Sequence, residues 1–244
     1  VADHHHEVEL REYICVPIVA HGDTVGLLHI RFDHDNDAAA HVADAGEFAI
    51  RCAEHISMAI ANVKLRDELH DQSIRDPLTG LYNRRYFMDA LRREINAAER
   101  GGEGVGLISL DADKFKTFND NHGHDAGDMV LRAISERMRA SPHPGAITCR
   151  MGGEEFAILL PGAGLDRATE MAEALRADIA GLQVRTSYGV LPTVTISAGV
   201  SAYAGDGGIT PNSLLKQADE ALYAAKEAGR NRVFVYDDVA PPSP

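Results

Sequence analysis

A short acidic turn between two apolar runs constrains the fold more than any other part of the chain. Residues 146–151 and 156–160 are rich in strand-forming side chains, and the four residues between them are Gly-Gly-Glu-Glu. Glycine accepts the positive φ of a tight turn, so this pattern predicts a β-hairpin. Glu154 and Glu155 add nothing to a core, and adjacent like charges repel unless a cation lies between them and another group. The turn is therefore either a solvated acidic loop or the edge of a cation site.

A second pair of acids follows another apolar run. Residues 105–110 predict a buried strand, and Asp111-Ala112-Asp113 comes directly after it. If this strand lies beside the hairpin in one sheet, the two sets of acids meet. Carboxylate oxygens suit Mg²⁺, which proteins usually bind through one or two carboxylates together with substrate phosphates. The two segments together favour a divalent-metal site.

Five motifs, including these two, follow one another between about residues 74 and 236. In order they are Asp76-Pro-Leu-Thr-Gly-Leu-Tyr-Asn-Arg-Arg-Tyr86, Asp111-x-Asp-x-Phe-Lys116, Asn119 with Gly123-His124-Asp125 and Gly127-Asp128, the Gly-Gly-Glu-Glu-Phe hairpin, and Ala221-x-Tyr-x-Ala-Lys226-x-x-Gly-Arg-Asn231. Together they resemble the GGDEF domain, the catalytic domain of diguanylate cyclases, in which glutamate at the third hairpin position is a common, active variant. The resemblance implies an α/β fold, with a mixed sheet covered by helices, related to adenylate cyclases and polymerase palms. Strands that alternate with helices along the chain are typical of such a fold.

The resemblance also implies a reaction and a metal site. Diguanylate cyclases join two GTP molecules into cyclic di-GMP and release two pyrophosphates, by attack of a ribose 3′-hydroxyl on an α-phosphorus. By motif position, Asp111 and Glu154 are side-chain metal ligands, the Ala112 carbonyl is a backbone ligand, and Glu155 has a supporting catalytic role. The implied cofactor is Mg²⁺ or Mn²⁺, with two ions per active site about 3.5 to 4 Å apart.

Three further positions are implied to bind the guanine base. Asn119 and Asp128 match the family's guanine-reading pair, and Leu78 is expected to pack on the base. A carboxylate can accept from guanine N1–H and N2–H₂, whereas adenine N1 is itself an acceptor. By themselves, Asn119 and Asp128 would favour helix capping, whereas within the set of five motifs guanine recognition is favoured.

Three cations are implied to bind the phosphates. Lys226 and Arg230 lie one helical turn apart and match the family's phosphate-binding positions, and Lys116 is a further candidate. Cations also favour the C-terminal end of any helix, which is the alternative interpretation of Lys226 and Arg230.

One site of the family is missing. Its inhibitory product site is an Arg-x-x-Asp just before the hairpin strand, and the matching positions here are His143-Pro144-Gly145-Ala146. The forked, charge-assisted phosphate clamp is therefore absent. We expect the usual product inhibition to be lost with it.

Composition limits the partners. The formal net charge of −13 over 244 residues argues against nucleic acid and anionic membranes, since both need a basic face. The three cysteines, Cys15, Cys52 and Cys149, show neither metal-ligand spacing nor a paired framework. No apolar run is long enough to span a bilayer and no signal peptide is present, so we expect a cytoplasmic protein. The sequence begins at Val1 without Met, and its first seventy residues are short for a complete sensor domain, so we also expect a fragment of a longer chain.

The segment before the motifs has its own pattern. Residues 13–19 and 25–32 are apolar runs joined by a Gly-Asp turn, which predicts a hairpin, and a helix is predicted from about Asp44. This α+β fragment resembles the closing third of a GAF domain, a small-molecule sensing module. The expected divisions are a partial GAF-like sensor at residues 1–55, a linker helix at 56–75, the GGDEF catalytic domain at 76–238 and a disordered tail at 239–244.

The linker helix carries a heptad seam. Its positions are Ile56, Ile60, Val63, Asp67, His70 and Ile74. The seam fits either a short, weak coiled coil or a helix packed on its own domain. A product made from two facing nucleotides implies a homodimer for catalysis.

The sequence thus favours a diguanylate cyclase regulated by an N-terminal sensor. The alternatives are a catalytically silent GGDEF module that binds GTP or cyclic di-GMP, and a cyclase acting on ATP. Asp128 argues against ATP, and every catalytic position of the family is filled.

Overall fold

The computed structural model describes residues 13–20, 22–31, 38–101, 103–140, 143–187, 189–205 and 207–238. The chain divides into two compact units between Ser73 and Ile74. The predicted tail, residues 239–244, lies outside the described residues. Within the part of the chain that the structure describes, no helix combines the length and the apolar character needed to cross a membrane.

The first unit is a hairpin with one long helix. Strands β1 (Tyr13–Ala20) and β2 (Asp23–Arg31) pair antiparallel, and helix α1 spans Ala38–Ile74. The helix begins earlier than the sequence predicts, because Ala38-Ala39-Ala40 are strong helix formers.

Small residues let α1 pack closely on the hairpin. Ala49 and Ala53 are buried, and Ser57 Oγ accepts a hydrogen bond from the Val19 backbone N–H at 3.2 Å. Farther along the helix, the seam residues Ile56 and Val63 are exposed.

The second unit alternates strands and helices. In chain order its elements are β3 (Tyr82–Asn83), α2 (Arg84–Glu99), β4 (Val105–Ala112), α3 (Phe115–His122), α4 (His124–Arg139), β5 (Ile147–Gly152), β6 (Glu155–Pro161), α5 (Leu165–Ala180), β7 (Arg185–Thr186), β8 (Gly189–Val190), β9 (Ile196–Tyr203), α6 (Pro211–Glu227) and β10 (Val233–Val235), followed by a 3-10 turn at Tyr236–Asp238. The two-residue strands β3, β7 and β8 were not predicted, because such short pairings leave no hydrophobic period in the sequence.

Helix boundaries follow local capping signals. Asn83 caps α2, with its Oδ1 accepting from the Tyr86 N–H at 3.0 Å, and Thr210 caps α6 in the same way. Helix α4 begins at His124, because Gly123 (φ 83°) reverses the chain directly after α3.

A six-stranded mixed sheet, ordered β10-β9-β4-β6-β5-β3, forms the centre of this unit. Strand β4 pairs antiparallel with both β6 and β9, whereas β10 with β9 and β3 with β5 are parallel. The predicted α/β fold with a mixed sheet covered by helices is confirmed.

The two faces of β4 divide the core. Ile108 and Leu110 pack in the cluster that contains residues of α4 and α5, and Val105 and Leu107 pack with residues of α2 and α6.

One partly buried ion pair joins the first motif to the hairpin formed by β5 and β6. Arg150 Nη1 donates to both carboxylate oxygens of Asp76, at 3.1 and 3.2 Å, and Arg150 Nε donates to the Gly153 carbonyl at 2.9 Å. Asp76 Oδ1 also accepts from the backbone N–H and the hydroxyl of Thr79, at 2.9 and 2.7 Å. Burial by itself raises the pKa of Asp76, but these hydrogen bonds and the Arg150 charge outweigh it and hold the pKa below its usual value of 3.8.

We expect Asp76→Asn to lower the free energy of unfolding by about 1 to 3 kcal/mol at neutral pH, since a partly buried charged pair is broken. A carboxyl whose pKa is lowered on folding stabilises the fold above its unfolded pKa, and this contribution disappears as the pH falls through the folded value. The gap between the two proteins in urea unfolding should therefore stay constant down to about pH 4 and then shrink. Asp89→Asn is the matched control, since Asp89 pairs with Arg92 on an exposed helix surface. An equal loss in both variants would contradict the role of Asp76.

Candidate active site

The antiparallel pairing of β4 with β6 brings the predicted acids together. Asp111 lies directly opposite Glu155 in the register, and the Ala112 N–H donates to the Glu154 carbonyl at 3.2 Å. Gly152 (φ 151°) and Gly153 (φ 55°) both adopt backbone angles that side chains disfavour, so the turn needs both glycines. The C-terminal end of β4 and the turn between β5 and β6 therefore lie side by side at one end of the sheet.

Lys226, a predicted phosphate ligand, forms an ion pair with Asp111, a predicted metal ligand. Lys226 Nζ is 2.8 Å from Asp111 Oδ2, and both side chains are largely shielded from solvent. Burial raises the pKa of Asp111, Lys226 opposes this shift, and Glu154 and Glu155 add to it. Asp111 is therefore a carboxylate that gains from a nearby cation.

The oxygen atoms at this end of the sheet are of the kind that binds a divalent cation. Among the described residues no group of three His, Cys, Asp or Glu side chains is placed to enclose a metal. Two carboxylates and a backbone carbonyl are nevertheless the donor set that Mg²⁺ takes when substrate phosphates complete its coordination. Asp111, Glu154 and the Ala112 carbonyl are the groups here that could form such a set.

Asp113, the other acid of the same motif, is not part of this group. Its carboxylate is buried and accepts hydrogen bonds from Thr195 just before β9, from Ser197 in β9 and from the turn after α6. The spacing of the two acids gives no signal of this difference, because the partners are about 80 or more residues away.

Two of the three predicted guanine residues, Asn119 and Asp128, are brought together by α3 and α4. Asn119 lies on α3, and its Oδ1 is buried without a hydrogen-bond partner. A Cβ at position 127 would overlap this oxygen, so Gly127 makes room for the amide directly beside Asp128. A buried polar atom without a partner costs free energy unless a ligand supplies one.

The other predicted ligands occupy different parts of this unit. Leu78 is half-buried against the core, Lys116 is exposed on α3, and Arg230 is exposed in the turn after α6. Arg230 has a φ of 66°, which is unusual for a residue with a side chain.

Sequence reasoning missed a carboxylate on α6 that is hydrogen-bonded to β4. Ser109 Oγ donates to Asp219 Oδ1 at 2.7 Å, and both residues line a cavity of about 270 Å³ with Arg84, Glu155 and Lys226. Burial raises the pKa of Asp219, against the opposing effects of Ser109, Arg84 and Lys226. A serine that breaks the apolar pattern of β4 is the one sequence signal for this contact.

The positions that match the family's inhibitory product site lie near α4 and α5. His143 Nε2 donates to the Pro161 carbonyl at 2.9 Å and lines a cavity of about 280 Å³. Two arginines of that cavity pair with acids, Arg137 with Asp178 at 3.6 Å and Arg167 with Glu170 at 3.0 Å.

Comparison with known families decides the assignment. The family described as "Diguanylate cyclase, GGDEF domain" matches residues 73–232. The chain belongs to this family. The acids described above, Asp111, Glu154 and Glu155, lie at the end of β4 and in the Gly-Gly-Glu-Glu-Phe hairpin of its GGDEF domain.

Similar proteins have the same domain. The response regulator PleD of Caulobacter vibrioides is 39% identical over 202 residues, which are 81% of this chain and 44% of PleD. The GGDEF domain of DgcB from Caulobacter crescentus, solved with c-di-GMP, is 34% identical with a TM-score of 0.65, covering 68% of this chain and 94% of that domain. The active GGEEF domain of a diguanylate cyclase from Vibrio cholerae is 32% identical with a TM-score of 0.59, covering 63% of this chain and 96% of that one. The chain thus spans less than half the length of PleD.

We expect Gly127→Ala to weaken GTP binding at least about tenfold, since the new methyl group displaces Asn119 and overpacking typically costs 1 to 3 kcal/mol. The dissociation constant for GTP and the thermal unfolding midpoint are measured together. Gly164→Ala is the control, because a Cβ there meets nothing within 4 Å and the backbone φ is −82°. Unchanged GTP binding by a folded Gly127→Ala protein would separate Asn119 from base recognition.

Proposed function

We propose that this chain is the catalytic part of a diguanylate cyclase, condensing two GTP molecules into cyclic di-GMP. In each step a ribose 3′-oxygen forms a bond to an α-phosphorus, the bond to pyrophosphate breaks, and the hydroxyl proton is lost. The observation that supports this most is the meeting of Asp111 with the hairpin acids, with Lys226 at 2.8 Å from Asp111. Opposite charges side by side suit a substrate that arrives as a metal-bound polyphosphate.

The proposed metal ligands are Asp111, Glu154 and the Ala112 carbonyl, which would hold two Mg²⁺ or Mn²⁺ ions per site. When bound, such ions neutralise phosphate charge and lower the pKa of the attacking hydroxyl. Glu155 supports the site from the first residue of β6, opposite Asp111.

The proposed nucleotide contacts divide into base and phosphate. Asp128 and Asn119 read the guanine edge, and Leu78 packs on the base. The residues that would bind the phosphates are Lys116, Lys226 and Arg230. Three local cations make a phosphate site feasible in a chain with a net charge of −13.

We further propose that two copies of the chain work as a homodimer, since one site holds one GTP and the product needs two. The exposed seam side chains Ile56 and Val63 of α1 are available for pairing of the linker helices at residues 56–75. The hairpin and the start of α1 would belong to a GAF-like sensor at residues 1–55 that controls a catalytic domain at 76–238. The protein is proposed to act in the cytoplasm, where GTP is present.

The function is tested by incubating the chain with GTP and Mg²⁺ and assaying cyclic di-GMP. We expect product from the wild type and a loss of at least about a hundredfold in Glu154→Gln, because the change keeps the shape but removes a metal-binding charge. The unfolding free energy should change by less than about 0.5 kcal/mol. Glu136→Gln, on the exposed face of α4, is the matched control and should retain full activity.

A wild type that binds GTP without forming product would instead identify a silent binding module. Residual activity of Glu154→Gln above one hundredth, with metal affinity intact, would remove Glu154 from the metal site.

We expect cyclic di-GMP to inhibit this enzyme less than about twofold through the surface before β5, since His143 has no forked cation and donates its Nε2–H to Pro161. The measurement is the initial rate at saturating GTP against added product. His143→Arg combined with Ala146→Asp should introduce inhibition. Strong noncompetitive inhibition of the wild type would show that another surface binds the product.

A further inference from the structure

The buried carboxylate of Asp113 accepts hydrogen bonds from the start of β9 and from the turn after α6. Asp113 is 8% exposed. Its Oδ1 accepts from Ser197 Oγ at 2.6 Å, and its Oδ2 accepts from Thr195 Oγ1 at 2.7 Å. The third donor is the backbone N–H of Asn231, at 3.0 Å from Oδ2. A carboxylate has about four acceptor positions, so three of them are already occupied.

The turn that Asp113 contacts is strained. Arg230 (φ 66°) and Asn231 (φ 45°) are consecutive residues in the left-handed region, although neither is glycine. Such residues persist when the surrounding structure holds them in place. The Asn231 N–H that bonds to Asp113 belongs to this pair.

Other contacts fix the same turn from the remaining sides. The Arg230 N–H donates to the Ala225 carbonyl at 3.1 Å, and the Arg230 carbonyl accepts from Arg232 Nε at 3.0 Å. Arg176 of α5 donates to Asn231 Oδ1 at 3.0 Å. The backbone is thus fixed on both sides of Arg230, whereas its side chain stays exposed.

The turn also lies beside the proposed phosphate site. It follows Lys226 by one helical turn, and Lys226 contacts Asp111. Arg230, Asn231 and Asp113 line one cavity of about 400 Å³, with Lys114 and Thr195. The direction in which the Arg230 guanidinium leaves the backbone therefore depends on the conformation that Asp113 stabilises.

We infer that Asp113 is a positioning residue for Arg230 rather than a metal ligand. Its carboxylate holds the Arg230–Asn231 turn in the left-handed conformation that directs Arg230 towards the phosphates of the nucleotide. This inference rests on the proposed function, because it takes Arg230 as a phosphate ligand.

The test is the affinity for GTP, with Asp113→Asn as the first variant. The asparagine amide offers one acceptor in place of two, and its NH₂ cannot accept from the Asn231 N–H. We expect the dissociation constant and KM for GTP to rise about tenfold or more, with kcat within about threefold. Direct Mn²⁺ binding, followed by electron paramagnetic resonance, should be retained in Asp113→Asn and lost in Asp111→Asn. Loss of Mn²⁺ binding by Asp113→Asn would overturn the inference.

A double-mutant cycle separates positioning of Arg230 from a general structural role. Arg230→Ala should weaken GTP binding by itself, and adding Asp113→Asn to it should then change the dissociation constant less than about twofold. Additive effects would contradict the inference and leave the proposed function intact. A wild type that binds no GTP would overturn the proposed function itself.

A milder variant keeps the test decisive if Asp113→Asn does not fold. Thr195→Val keeps the shape of the side chain and removes one donor to Asp113. We expect a GTP affinity several-fold weaker than wild type, and no further effect in the Arg230→Ala background. Thr169→Val is the matched control, since its hydroxyl donates within α5 to the Leu165 carbonyl. Wild-type affinity in Thr195→Val, or an equal loss in Thr169→Val, would contradict the inference.

Discussion

The antiparallel register between β4 and β6 is the constraint on which the rest of the site depends. It places Asp111 opposite Glu155 and joins Ala112 to the Glu154 carbonyl. Two acidic segments more than 40 residues apart in the sequence therefore lie side by side at one end of the sheet. A shift of one residue would turn Asp111 to the other face of the sheet, away from α6 and Lys226. Because β4 is also paired with β9 and buried along its length, such a shift would cost much of the core.

The cations of the proposed phosphate site are opposite in sign to the net charge of the whole chain and act at short range. A protein with a net charge of −13 repels a polyphosphate at long range, so the contacts at short range must decide binding. Lys226 is in the last turn of α6, where the helix dipole also favours a cation. It is close enough to Asp111 to oppose part of the effect of burial on that carboxylate, whose pKa nevertheless stays raised. The same side chain thus stabilises a buried acid and lies where phosphates are proposed to bind.

Several groups act by holding others in place. Arg150 connects the Asp76 loop to the Gly153 carbonyl of the hairpin, Gly127 leaves room for the Asn119 amide, and Asp113 holds the turn that contains Arg230. Each of these residues belongs to a motif or lies next to one. A motif therefore includes both residues that would touch a nucleotide and residues that keep them in position, and residue type does not distinguish the two.

The sequence by itself determined the local structure and the family: the glycine turn, the apolar periods of the helices and the motifs all depend on neighbours within a few residues. It also gave the α/β class and the acids of the proposed metal site. Only the tertiary structure decided the strand order, the pair of Lys226 with Asp111 and the different surroundings of Asp113. These contacts join residues from 82 to 118 positions apart for Asp113, and 115 for the Lys226 pair, and they exist only once the sheet has brought its strands together. A local pattern cannot specify them, because the partner of a buried polar group is set by strand register and helix packing, both of which involve the whole domain.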